Sequence, residues 1–182
     1  MAGEQQTSTR QEDRAKYRTV KNTIWGLLAC LVVVFAIYGL AYRPHPEKVR
    51  AIDYSAQLAE ARRLAPYDVL APTPMPPGWQ ATSARAGAEP GKPFTWHLGV
   101  VTADRRYVGL EQSNGPVAAV ITDKLGPVHD EGTSTVAGTP WQRKALEDRD
   151  ERALIRTVNG VTTIVTGTAP YPALDQFAAT LH

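Results

Sequence analysis

A run of twenty uncharged residues near the start of the chain constrains the fold more than any other feature. It extends from Thr23 to Tyr42, and ten of its residues are Leu, Ile, Val or Phe. At about 1.5 Å rise per residue, a helix of this length spans about 30 Å, the thickness of a bilayer's hydrocarbon core. Trp25 lies near one end and Tyr38 and Tyr42 near the other, where aromatic rings favour the membrane interface. The run predicts one transmembrane helix over 23–42.

Three other interpretations of this run fit the sequence less well. A cleaved signal peptide has a shorter apolar core and a small-residue exit, whereas this run ends in GLAYRP. The segment LLAC resembles a lipoprotein motif, but twelve residues of the run follow Cys30, and a lipoprotein has its apolar region before the cysteine. A buried core helix of twenty residues would carry a polar face.

Charged residues on either side of the run predict the orientation of the chain. Residues 1–22 contain five Lys or Arg and three acidic residues, and three further basic residues follow within 43–50. Because the more basic flank stays in the cytoplasm, we expect the folded part outside the plasma membrane. The predicted organisation is a cytoplasmic basic tail (1–22), the transmembrane helix (23–42), a proline-containing stalk (43–52) and an extracytoplasmic domain (53–182).

Composition excludes several classes of protein and site. The formal net charge is +2, and from residue 43 onward there are fifteen basic and fifteen acidic residues, which does not favour a nucleic-acid partner. A single cysteine, Cys30, excludes an intrachain disulfide and a thiolate metal site. The four histidines lack the spacing of metal ligands, and no dinucleotide or phosphate-loop motif is present, so we predict no metal and no cofactor.

The remainder of the chain alternates between strand and helix patterns. Its strands predict an antiparallel sheet flanked by helices, so the predicted fold class is α+β. Asn114 and Pro116 indicate the start of the second helix, and Gly126 indicates its end. The predicted elements are a helix over 53–64, an extended connector over 68–78, strands over 79–86, 94–102 and 107–113, a helix over 117–125, a Gly/Ser/Thr-rich loop over 127–135, strands over 139–147, 152–158 and 161–168, and a helix over 172–181.

The dipeptide Asn159-Gly160 fixes one strand pair. Asn-Gly favours a two-residue type I′ turn, which places Ile155 opposite Ile164 and Leu154 opposite Val165. Both faces of this pair are partly apolar. We therefore expect the pair to lie centrally in the sheet, with other elements covering each face.

The segment WHLGVVTADRRYVGLEQS (96–113) predicts a second hairpin. Of two registers, one keeps its large apolar side chains on a single face, and burial selects that register. In it His97 lies opposite Glu111, and Gly99 lies opposite Gly109 on the outer face. The two glycines leave bare backbone, which forms a small trough between side chains.

This hairpin contains the candidate binding residues, Trp96, His97, Gly99, Tyr107, Gly109 and Glu111. In the functional interpretation, a ligand or partner approaches the backbone in the trough. In the structural interpretation, which we favour, His97 and Glu111 form an ordinary cross-strand pair and the glycines admit a covering helix. Acid–base chemistry would need a nucleophile and an oxyanion donor nearby. Only Ser113 is in reach and no G-x-S-x-G motif exists, so we predict no catalytic residue.

The order of these segments resembles a known family. The segments are APTPMPPGWQATSAR, WHLGVVTADRRYVGLEQS, VAGTPWQRKALE and TTIVTGTA, which follow a basic tail and one apolar run. Over residues 20–182 they are similar to an uncharacterised actinobacterial family, domain of unknown function 4245. The resemblance implies a single-pass envelope protein without an established activity, cofactor or catalytic residue.

Three function classes remain open. The first is a membrane-anchored extracytoplasmic interaction module, an accessory component of a cell-envelope assembly, which contacts the lipid bilayer through 23–42 and a protein partner through its domain. The second is a small-ligand or lipid-binding domain. The third is a hydrolase that uses His97 and Glu111. We favour the first, since no complete catalytic set is present.

Overall fold

The computed structural model describes residues 25–36 and 50–182. Residues 25–36 form a helix, α1, whose large apolar side chains are exposed. Within the described ranges, no helix has both the length and the hydropathy needed to cross a membrane. The other residues of the predicted anchor, including Thr23, Tyr38 and Tyr42, lie outside the described residues, as do the tail over 1–22 and the stalk over 43–49.

The unit Val49–His182 is built on one antiparallel sheet of seven strands. The strand order is β1-β2-β3-β7-β6-β5-β4, so the two predicted hairpins meet at the β3–β7 pair in the middle of the sheet. The sheet confirms the antiparallel α+β class. Its strands are β1 (Gln80–Gly87), β2 (Thr95–Val101), β3 (Tyr107–Ser113), β4 (Val128–Val136), β5 (Thr139–Leu146), β6 (Arg152–Val158) and β7 (Val161–Gly167).

Three helices cover the two faces of the sheet unequally. Helices α2 (Ser55–Leu64) and α4 (Tyr171–Ala179) pack on one face, whereas α3 (Val117–Leu125) packs alone on the other. The larger core lies under α2 and α4, and Trp96, Leu98, Leu110, Val165 and Phe177 are fully buried there. The smaller core lies under α3 and includes Leu125, Ile155 and Ile164.

Both predicted registers are confirmed. In the Asn159-Gly160 hairpin, Val158 pairs with Val161 and Ile155 with Ile164, and the pair is covered on both faces. In the other hairpin, His97 pairs with Glu111. The positive φ angles of Asn159 (50°) and Gly160 (78°) are those that a type I′ turn requires.

The predicted loop over 127–135 is wrong, because residues Val128–Val136 form the edge strand β4. Only Ser134 and Val136 of this strand are buried, so its sequence is polar and resembles a loop. Its pairing with β5 is irregular between Asp130 and Thr133, around Gly132 (φ 86°). Polar residues and a bulge are typical of edge strands, since they discourage pairing with another chain.

The predicted helix over 117–125 is confirmed, but its predicted Asn114 cap and the predicted start of the helix over 53–64 are wrong. Asn114 does not cap α3; its Oδ1 accepts a hydrogen bond from the Phe94 backbone N–H at 2.9 Å, and Pro116 is the residue before the helix. Helix α2 begins at Ser55 rather than at residue 53. The Asp53 carboxylate accepts the Ser55 backbone N–H at 2.9 Å, and this hydrogen bond lowers the pKa of Asp53.

The proline-rich connector over 68–78 is held to the sheet by side chains and by the end of the chain. The Leu70 N–H donates to Gln112 Oε1 at 2.7 Å, and Gln112 itself is buried. Ala71 and His182 exchange two backbone hydrogen bonds of 3.1 Å each. Val69 is buried in the larger core, and Met75 packs against it.

Candidate functional site

His97 and Glu111 form a close pair on the face of the sheet that α3 partly covers. His97 Nδ1 and Glu111 Oε1 lie 2.5 Å apart, and the two side chains are 19% and 15% exposed. Because a carboxylate only accepts hydrogen bonds, Nδ1 carries the hydrogen of this contact. The glutamate therefore fixes the ring orientation and leaves Nε2 facing away from it.

A serine that the sequence analysis missed completes a chain of three side chains. Ser83 Oγ lies 2.9 Å from His97 Nε2. Continuing the register of Ala81, which pairs with Val100, would place Ser83 opposite Leu98 on the buried face. A bulge between Ala81 and Ser83 instead places Ser83 opposite Gly99. Bulges re-aim side chains in this way, and no glycine in the sequence marks this one.

The trough between Gly99 and Gly109 is filled by the side chain of Tyr107. A Cβ on Gly99 would lie 3.3 Å from the Tyr107 hydroxyl, and one on Gly109 would lie 2.9 Å from the same oxygen. The ring thus takes the space that the sequence analysis assigned to a ligand or a covering helix. Burial, and then the nearby Glu111, raise the pKa of the Tyr107 hydroxyl.

Trp96 does not belong with the other candidate residues. Its side chain is fully buried on the opposite face, and its Nε1–H donates to the Leu70 carbonyl at 3.0 Å. The predicted register already placed Trp96 on the apolar face. The prediction that Trp96 is a binding residue on the outer face with the others is therefore not supported by its position.

A cleft of about 570 Å³, which we call the His97 cleft, opens beside the histidine–glutamate pair. Glu111 lies 4.0 Å from Lys124 Nζ of α3, and Glu89 lies 3.0 Å from Lys92. Arg85 pairs with His97 across β1 and β2. Its side chain is exposed and forms no ion pair or hydrogen bond with any described residue. The charged and titratable lining residues are Arg85, Glu89, Lys92, His97, Glu111 and Lys124.

Comparison with known proteins identifies the family but no activity. Residues 16–181 match the model of a family described as a protein of unknown function, DUF4245. The chain belongs to this family. The match includes the apolar run and nearly the whole folded unit of this DUF4245 protein. No curated protein and no solved structure matches the sequence.

In this DUF4245 protein, the hydrogen bonds join Ser83, His97 and Glu111 in the order of a nucleophile, a base and an orienting acid. Ser83 contacts the base nitrogen, and Glu111 contacts the other nitrogen of the same ring. However, Ser83 is not among the residues that line the His97 cleft. Strands β2 and β3 are paired on both sides, so their backbone N–H groups are used within the sheet. Lys124 lies 3.2 Å from Asp123 and 4.0 Å from Glu111, so Arg85 is the cation in the cleft without an acidic partner among the described residues.

A metal centre needs several His, Cys, Asp or Glu side chains that converge on one point. Within residues 25–36 and 50–182, no group of three or more His, Cys, Asp or Glu side chains is arranged to hold a metal ion. His129 lies 3.4 Å from Glu147 at the surface, a two-residue contact remote in sequence from the His97 cleft.

Proposed function

We propose that this protein is a membrane-anchored extracytoplasmic interaction module and an accessory component of a cell-envelope assembly. Residues 23–42 are the proposed single-pass anchor, and the folded unit lies outside the plasma membrane. The exposed apolar side chains of residues 25–36 support the anchor, because lipid would cover them. The family match supports joining anchor and domain in one architecture, since it spans both.

The observation that carries this proposal is the uncompensated charge in the His97 cleft. Lys92 has Glu89 as a partner, and Lys124 lies 3.2 Å from Asp123 and 4.0 Å from Glu111, whereas the Arg85 side chain has no ion-pair partner among the described residues. A basic surface speeds association with an acidic one and disfavours basic competitors. The proposed partner is therefore an acidic segment of a neighbouring envelope protein, and Arg85 and Lys124 are its proposed contacts.

Site-specific photo-crosslinking in the native cells tests this partner. A benzoylphenylalanine residue placed at Ala88, which is exposed and lines the cleft, should give one discrete adduct. The same residue at Gln176, exposed on α4, is the matched control and should give none. The double variant Arg85→Gln/Lys124→Gln should lose the adduct, because its loss of two positive charges weakens binding to acidic groups.

Two results would contradict this binding role. The first is the absence of an adduct from position 88, or equal adducts from positions 88 and 176. The second is an adduct that persists at full yield in the Arg85→Gln/Lys124→Gln variant. Either result would remove the charge-based assignment of the partner.

The Ser83–His97–Glu111 arrangement favours a hydrolase as a second candidate function. In an acyl transfer, Ser83 Oγ would bond to the carbonyl carbon of an ester while its proton passes to His97 Nε2. The alcohol would then leave with that proton, and water would release the acyl group from Ser83. Glu111 would hold the ring in the tautomer that accepts the proton. The position of Ser83 outside the cleft lining makes this the weaker candidate.

A fluorophosphonate probe separates the two functions. If the protein is such a hydrolase, the probe should label Ser83 of the full chain. Ser83→Ala or His97→Gln should then abolish labelling. The matched control is Ser113→Ala, which removes another hydroxyl on the same face and should not affect labelling. We expect no labelling of the unmodified protein, and stoichiometric labelling that depends on Ser83 would replace the binding module by the hydrolase.

A further inference from the structure

A second cavity, of about 550 Å³, lies on the opposite face of the sheet from the His97 cleft. It is bordered by the segment 66–70, which contributes Tyr67 and Leu70, and by the tip of the β6–β7 hairpin. We call it the Arg156 cavity. Its volume is within the range of sites that bind small molecules.

Arg156 is the cation of this cavity, and its side chain has no ion-pair or hydrogen-bond partner among the described residues. Its side chain is half-buried, and its guanidinium carbon lies 6.0 Å from the centre of the Trp141 ring. Other arginines of the same sheet region are paired: Arg143 lies 3.2 Å from Asp175, and Arg152 lies 3.4 Å from Asp150. A half-buried guanidinium loses hydration, and an anion would restore its hydrogen bonds.

The polar groups on the floor of the cavity already have hydrogen-bond partners within the protein. Gln112, which is 2% exposed, accepts a hydrogen bond from Leu70 N–H, and its Nε2 lies 3.4 Å from both the Asp68 carbonyl and Thr163 Oγ1. Tyr67 donates its hydroxyl to the Gln112 carbonyl at 3.1 Å. These groups therefore shape the cavity, and Arg156 supplies the positive charge that a ligand could meet.

The other lining residues indicate the polarity and charge of a ligand that would fit the cavity. Trp141, Leu70, Val158 and Val161 supply apolar surface around the guanidinium. Asp68 is the carboxylate-bearing side chain in the lining, and it is exposed, so it would repel a ligand with several negative charges. A single negative charge joined to an apolar body satisfies both conditions.

We propose that the Arg156 cavity binds a small organic monocarboxylate. The planar guanidinium donates two parallel N–H···O hydrogen bonds to the carboxylate, as arginine does elsewhere. The apolar body of the ligand lies against Trp141 and Val158. This binding site is separate from the proposed partner surface, because it lies on the other face of the sheet.

Fluorine NMR of the full chain in lipid nanodiscs tests the cavity with a defined probe. 4-Fluorophenylacetate should show saturable line broadening above that of empty nanodiscs, whereas the uncharged isostere 4-fluorophenylacetamide should not. Arg156→Gln should weaken binding by about 10- to 100-fold, the usual value of charge-assisted hydrogen bonds. The matched control Arg106→Gln removes an exposed arginine from a turn and should leave binding unchanged.

A second variant tests the cavity without removing the positive charge of Arg156. Val158→Trp leaves Arg156 in place but fills the mouth of the cavity, where Val158 is 44% exposed, and should abolish binding. The proposal is overturned if the acid does not bind, if acid and amide bind equally, or if either Arg156→Gln or Val158→Trp binds as the unmodified chain does. The proposal is supported if both variants lose binding of the acid and Arg106→Gln retains it.

Discussion

Gly167→Ala is expected to lower the free energy of unfolding by about 3 kcal/mol, the upper part of the range for overpacking. A Cβ at Gly167 would overlap the carbonyl oxygen of Tyr107 and lie 2.8 Å from its carbonyl carbon and 3.1 Å from Val108 Cα. These are backbone atoms of β3, so no side-chain rotation relieves the overlap. Strand β3 must move away from β7 in the middle of the sheet. In thermal unfolding of the full chain in mild detergent, the Tm should fall by about 10 °C.

Gly87→Ala is the matched control for this clash. Gly87 has φ 156° and Gly167 has φ 158°, so both alanine variants carry the same backbone strain. A Cβ at Gly87 would meet no heavy atom within 4 Å. The difference in Tm between the two variants therefore measures the overlap alone. An equal fall in Tm for the two variants would show that β3 and β7 do not approach each other as closely as described.

Trp96→Ala is expected to cost about 3–5 kcal/mol of the free energy of unfolding. The side chain is fully buried in the larger core, and its removal leaves a cavity and an unpaired carbonyl at Leu70. The same Tm measurement checks this value. The result would also establish that Trp96 is a core residue and not a binding residue.

Tyr107→Ala, on the other face of the same hairpin, is the control for Trp96→Ala. Tyr107 is 36% exposed and covers Gly99 and Gly109, so its loss should cost about 1–2 kcal/mol. Tyr107→Phe retains the ring and should cost less than Tyr107→Ala. If Tyr107→Ala lowered the Tm more than Trp96→Ala, the two faces of the hairpin would be exchanged. A one-residue slip in register has this effect.

The registers of the two hairpins could be predicted because short-range signals determine them. Asn159-Gly160 selects a turn type, and the alternation of Trp96, Leu98 and Val100 selects a buried face. Each signal lies within about twenty residues of its partner. The pairing of His97 with Glu111 follows directly from the second of them.

The rest of the site depends on information that is not local. The serine partner of His97 requires a bulge in β1, and the covering of the glycines requires the rotamer of Tyr107. Strand β4 pairs with β5 despite its polar sequence, because one face of an edge strand remains in water. The meeting of β3 with β7 joins segments about fifty residues apart, and no motif in either strand specifies it.

Cysteine labelling in intact cells tests the central claim, the outward orientation of an anchored domain, most directly. Cys30 is the one cysteine of the chain, so a Cys30→Ser background allows single cysteines to be added at Ser8 in the tail and at Gln176 in the domain. A membrane-impermeant maleimide should label Gln176→Cys in intact cells, and Ser8→Cys only after permeabilisation. Labelling of Ser8→Cys but not Gln176→Cys in intact cells, or recovery of the whole chain in the soluble fraction, would contradict the account.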